Sequence, residues 1–61
     1  MDHLPLSDAP MLVSAINFLL RDREFDDLDQ ICSYFDVERS EVDRILSDHG
    51  YSYSEQQNRI V

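Results

Sequence analysis

The spacing of apolar positions changes three times along the chain, and each change marks an element. Leu12, Ala15, Ile16 and Leu19 recur at helical spacing and predict a first helix over 9–22. Pro10 belongs in its first turn, where a missing N–H costs nothing, so Asp8 or Ala9 is the N-cap. Met11, Val13, Phe18 and Leu20 add apolar surface outside that stripe. A helix apolar nearly all round needs burial on more than one side. Ser14 and Asn17 interrupt this surface and are expected to face the tail or a partner. Arg21-Asp22-Arg23 ends the run, with basic side chains where a helix C-terminus favours them. Before the helix, residues 1–8 form a short leader whose Leu4 and Leu6 are expected to fold back onto the core.

Leu28, Ile31, Cys32 and Phe35 then follow at i, i+3, i+4 and i+7, predicting a second helix over 27–35. Asp26 and Asp27 are alternative N-caps, with Asp29 or Gln30 completing a box-like arrangement. Asp36 breaks the pattern and Val37 anchors a tight connection to a third helix over 38–48, with Val42, Ile45 and Leu46 inward. Gly50, the only glycine, stands where a left-handed C-cap falls. Tyr51-Ser52-Tyr53 alternates as a strand does, Ser54 to Asn58 reads as a polar turn, and Arg59-Ile60-Val61 as a return strand. Residues 51–61 are therefore a short β-hairpin or an extended tail. The expected fold is mainly α: one three-helix domain, spanning 1–61, with a helix-turn-helix-like corner and that C-terminal hairpin or tail.

At 61 residues there is room for one domain, and a chain of this size buries only about 60% of its unfolded surface. A single cysteine closes no intrachain disulfide, and no Cys/His set has zinc spacing. The longest apolar stretch, Ala9 to Leu20, is broken by Ser14 and Asn17 and is too short to span a bilayer. With no charged segment ahead of it suggesting a signal peptide, and one reduced cysteine, the expected location is the cytoplasm.

Leu28 to Ser47 carries the grammar of a helix-turn-helix: a small residue (Cys32) between Ile31 and Phe35, a turn residue tolerant of positive φ (Asp36), an anchor (Val37), and the inward Val42 and Ile45. Charge decides what such a corner does. A DNA-reading second helix should be basic. Here Glu38, Arg39, Glu41, Asp43, Arg44 and Asp48 leave it at net −2 in a chain of net −8 that has no lysine. Arg39 and Arg44 are the residues available to read guanine edges, against a repulsive field.

Other chemistry is thin. Asp22, Glu24 and Asp26 fit the first ligand slots of an EF-hand, but Asp27 stands where glycine makes the turn and Ser33 where the bidentate Glu belongs. These carboxylates, with Asp29, read as helix caps and solvated surface. Cys32 lies in an apolar stripe and reads as a buried small hydrophobe. His49 suits a helix C-terminus, and His3 lies in the leader. No metal or cofactor site and no catalytic set is expected, so the chain is not read as an enzyme. Tyr51 and Tyr53 either cover the helical core or offer an aromatic contact surface.

Asp8, Pro10-Met11-Leu12, Ser14, Asn17, Leu20-Arg21-Asp22, Leu28-Asp29, Cys32, Gly50-Tyr51, Tyr53 and Asn58 together resemble a family of bacterial proteins about sixty residues long, classed only as a domain of unknown function. The resemblance runs from Asp8 onward. In that family proline usually follows the aspartate directly, whereas Ala9 intervenes here. It implies a bacterial cytosolic protein and supplies no activity, cofactor or catalytic residue. The expected function is protein interaction, by self-association as a homodimer or by docking on a partner. The contact residues are Met11, Val13, Phe18, Leu20, Tyr51 and Tyr53. The alternative is a helix-turn-helix nucleic-acid regulator using Arg39 and Arg44.

Overall fold

The computed structural model describes residues 3–61. Three helices, α1 (Ala9–Arg21), α2 (Leu28–Tyr34) and α3 (Arg39–Asp48), precede a two-stranded antiparallel hairpin of β1 (Tyr53–Ser54) and β2 (Arg59–Ile60). The expected mainly α fold, with its hairpin, is what forms. Each helix is a residue or two shorter than its sequence span because the outermost residues are caps: Asp22 and Phe35 at C-termini, Asp27 and Glu38 at N-termini.

Capping explains where the helices begin. Asp8 is the N-cap of α1, its carboxylate accepting from the Met11 N–H at 3.2 Å, so Ala9 lies inside the helix. Asp27 caps α2, accepting from the Gln30 N–H at 2.9 Å, and the Gln30 amide reaches back to the Asp26 N–H. This is a capping box displaced by one residue.

All three helices end in the same way. Beyond each C-cap stands one left-handed residue: Arg23 (φ 59), Asp36 (φ 58) and Gly50 (φ 82). In each case two backbone hydrogen bonds close back onto the last turn, as Arg23→Leu20 and Glu24→Leu19, Asp36→Ser33 and Val37→Cys32, Gly50→Ser47 and Tyr51→Leu46. These are Schellman motifs. Gly50 adopts its φ without strain and Asp36 tolerates it. Arg23 carries a Cβ there, a position no sequence pattern marks.

The core is formed by Leu4, Leu12, Ile16, Leu19, Leu20, Leu28, Ile31, Cys32, Val42, Leu46 and Ile60. Leu4 and, half-buried, Leu6 fold back as expected, through a turn closed by Leu6 N–H to Leu4 C=O at 2.9 Å; leader residues 1–2 lie outside the described residues. Leu20 sits four residues after Ile16, one turn along the same stripe, and is only 6% exposed. Ile45 is half-buried at the core's edge. The total accessible surface, 4228 Å², is close to the roughly 4,100 Å² of an ordinary folded monomer of this mass. The chain covers its core without help.

The hairpin is held from the side. Tyr53 pairs with Ile60 and Ser54 with Arg59, and reciprocal bonds between Ser52 and Val61 (3.0 and 2.8 Å) continue the ladder. In an antiparallel ladder alternate residues turn their N–H and C=O outward. Ile60 is such a residue, and the Asn17 side-chain amide meets both groups: Oδ1 accepts from the Ile60 N–H at 2.7 Å, and Nδ2 donates to the Ile60 C=O at 3.2 Å. Of the two polar interruptions of α1, Asn17 faces the tail and Ser14 is exposed.

Candidate functional site

Two depressions flank the hairpin turn and share a rim. The larger, about 990 Å³, runs between the outer face of α1 and the hairpin turn; Val13, Phe18 and Phe25 supply apolar surface and Asn17 lies in its wall. Arg21, Arg23 and Arg59 stand around it, with Asp26 as its one carboxylate. The smaller, about 420 Å³, holds Asp26, Asp27, Asp29 and Glu55 beside Arg39 and Tyr53. Asn58 and Asp26 line both.

Asn58 makes the rim. It is left-handed (φ 53), which asparagine tolerates better than most side chains, and this turns the chain into β2. Its Nδ2 donates to the Asp26 carbonyl at 2.9 Å, and its Oδ1 accepts from the Tyr53 hydroxyl. The hairpin turn is thereby tied to the α1–α2 connection.

The arginines differ in what surrounds them. Arg39 donates to Asp29 at 2.7 Å and Asp43 at 3.0 Å, and its guanidinium lies 5.1 Å from the Tyr53 ring centroid. One side chain so joins α2, α3 and β1. Burial on its own lowers the Arg39 pKa, but the hydrogen bonds and charges of Asp43 and Asp29 prevail and raise it. Arg21 lies 3.7 Å from Asp22 and 5.7 Å from the Phe18 ring, in an exposed setting where such pairs contribute little. Among the described residues, neither Arg23 nor Arg59 makes an ion pair.

Of the residues singled out from the sequence, Met11 (58% exposed) and Phe18 (50%) stand on one face of α1, two turns apart. Val13 is half-buried in the groove. Leu20 belongs to the core, 6% exposed, and also lines the groove. Tyr51 and Tyr53 are half-buried and pack on the core, with Ser52 exposed between them. Tyr53 borders the acidic depression, whereas Val13, Phe18 and Leu20 line the groove. Arg39, the first of the two candidate base readers, is engaged in the clasp just described; Arg44 is exposed.

Two groups escaped the sequence reading. The groove arginines lie at 21, 23 and 59, and only hairpin docking brings them together. Phe25, Tyr34 and Phe35 form an edge-to-face cluster, with centroids 4.9 Å apart for Tyr34–Phe35 and 5.3 Å for Phe25–Tyr34. Tyr34 is 70% exposed and falls off the α2 stripe, the one signal that it stands outside the core.

Much of the acidic stretch serves structure: the Asp27 carboxylate caps α2, Asp26 bonds Gln30, Asp29 pairs with Arg39, and Asp22 lies beside Arg21. Among the described residues no three His, Cys, Asp or Glu side chains are grouped to hold a metal ion, and no helix is long and apolar enough to cross a membrane. Cys32 is 3% exposed. Burial pushes its thiol up, Arg39 opposes this, and Asp29 and Asp43 add to it; the net direction is upward, towards an unreactive thiol. His49 is the C-cap of α3, with Nδ1 3.0 Å from the Ile45 carbonyl.

No curated protein and no solved structure gives a significant match. The family model described as Domain of unknown function (DUF4250) matches residues 6–60. That span takes in the helix caps, the Asn17 clamp, the Arg39 clasp and both depressions, and the chain belongs to the DUF4250 family.

Proposed function

We propose that this chain is a small protein-docking module of the bacterial cytosol, engaging a partner or a second copy of itself through the outer face of α1 and the adjoining groove. One observation carries the reading: Phe18, half exposed, stands at the edge of a groove in which arginines outnumber carboxylates in a chain of net −8. Aromatic and arginine side chains together are the residues interfaces favour. Nothing of that kind supports the nucleic-acid reading, since Arg39 is bound to Asp29 and Asp43 and the remainder of α3 is acidic.

The test is photo-crosslinking in living cells, with a photoreactive amino acid replacing Phe18 in one strain and the exposed Ser40 of α3 in another. Protein adducts from position 18 and none from position 40 are expected. Absence of adducts at 18, or equal yields at both positions, removes the docking reading.

A further inference from the structure

We infer that the occupant of the arginine groove is a second copy of this chain, in a two-fold dimer that sets each copy's groove against the other's acidic depression. The inference rests on the docking reading and names its partner. Its basis is an arrangement of charge. Arg21, Arg23 and Arg59 stand around one depression, Asp27, Asp29 and Glu55 around the next, and the two meet at the Asn58 rim. Adjacent patches of opposite sign are self-complementary under a two-fold axis placed between them. Rotation about that axis carries the positive patch of one copy onto the negative patch of the other, and the reverse contact forms at the same time. Every pair is therefore made twice.

Each patch has a free member. Arg23 and Arg59 make no ion pair among the described residues, and Glu55 is exposed on the hairpin turn with no recorded side-chain bond. Phe18 and Val13 add the apolar surface that charged pairs alone lack. Two copies of net −8 repel at long range, but at physiological ionic strength charges farther apart than about 8 Å are largely screened, while pairs in contact still act. The dimer is accordingly a weak one, formed towards the upper end of the micromolar-to-millimolar range.

Sedimentation of the full chain across that range, in physiological salt, tests it. The unsubstituted protein is expected to dimerise. Arg23→Glu with Arg59→Glu should raise the dimer Kd by at least about tenfold, and Glu55→Arg should raise it several-fold, with the far-ultraviolet dichroism of both variants unchanged. Mixing the two should restore dimer, because the heterodimer regains opposite charges at one contact and keeps the native ones at the other. A chain that stays monomeric at millimolar concentration overturns the inference, as does a dimer indifferent to both variants or a mixture that restores nothing. A monomer that still crosslinks to a different protein from position 18 overturns the self-pairing alone and leaves the docking reading standing.

Discussion

The depressions on either side of Asn58 use arginine for different ends. In the acidic one, Arg39 is about one-third exposed and meets two carboxylates and an aromatic ring from three separate elements. In the other, Arg21, Arg23 and Arg59 surround a groove of mixed polar and apolar lining and contribute little to the fold. The same residue type is a clasp where its partners come from distant elements, and an exposed rim charge where they are local or lacking among the described residues. Net charge alone conceals the difference: −8 describes neither depression.

Removing the seam beneath the groove should have the largest effect. Asn17→Ala leaves the outward N–H and C=O of Ile60 without their partners in a half-buried position. Orphaned backbone groups of this kind cost about 1–3 kcal/mol, so a loss of about 2 kcal/mol is expected in urea unfolding. Faster amide exchange at Ser52 and Val61 than in the helices would place the damage at the hairpin. Asn17→Asp should be nearly as costly at neutral pH, because a carboxylate cannot donate to the Ile60 carbonyl.

On the acidic side the expected effect is smaller. Arg39→Ala removes two partly exposed ion pairs and one cation–π contact, together about 1 kcal/mol. Arg39→Lys should recover less than half of this, since a single ammonium cannot match the fork that spans Asp29 and Asp43. Full recovery by lysine would show that charge alone, and not fork geometry, holds the three elements together.

Arg23→Gly should have the smallest effect on stability and the opposite sign. It relieves a left-handed Cβ at the end of α1 and should stabilise by about 0.5–1 kcal/mol, read as a rise in the unfolding midpoint. The same change removes a groove cation, so self-pairing should weaken as the fold strengthens. If both rose together, Arg23 would belong to the scaffold and the contrast between the two depressions would blur.

The helices were legible because their signals are local. Stripes recur within a few residues, Asp8 and Asp27 precede the runs they cap, and Gly50 marks a left-handed stop. That Leu20 belongs to the core was not legible, because the stripe was read as narrower than the packed face, which extends one turn beyond Ile16. What stayed hidden depends on long separations. Asn17 is visible as a polar break in an apolar helix, but its partner lies 43 residues away. Arg39 looks like a free cation until Asp29, ten residues earlier, is folded against it. The groove has no linear signature, because Arg59 reaches Arg21 and Arg23 only after the hairpin has docked.

The amide of Asn17 also bears on how the hairpin behaves towards other chains. A strand whose outward N–H and C=O are open is a template on which a foreign strand can add, and larger sheets hide such edges under further strands. Here one helix side chain supplies the acceptor and donor that a neighbouring strand would have offered, and Ile60 has no bond left to give. Two strands of two residues each thus gain a closed flank from a single asparagine. On that flank strand addition is blocked, while the outward side of β1 stays as the hairpin's other edge.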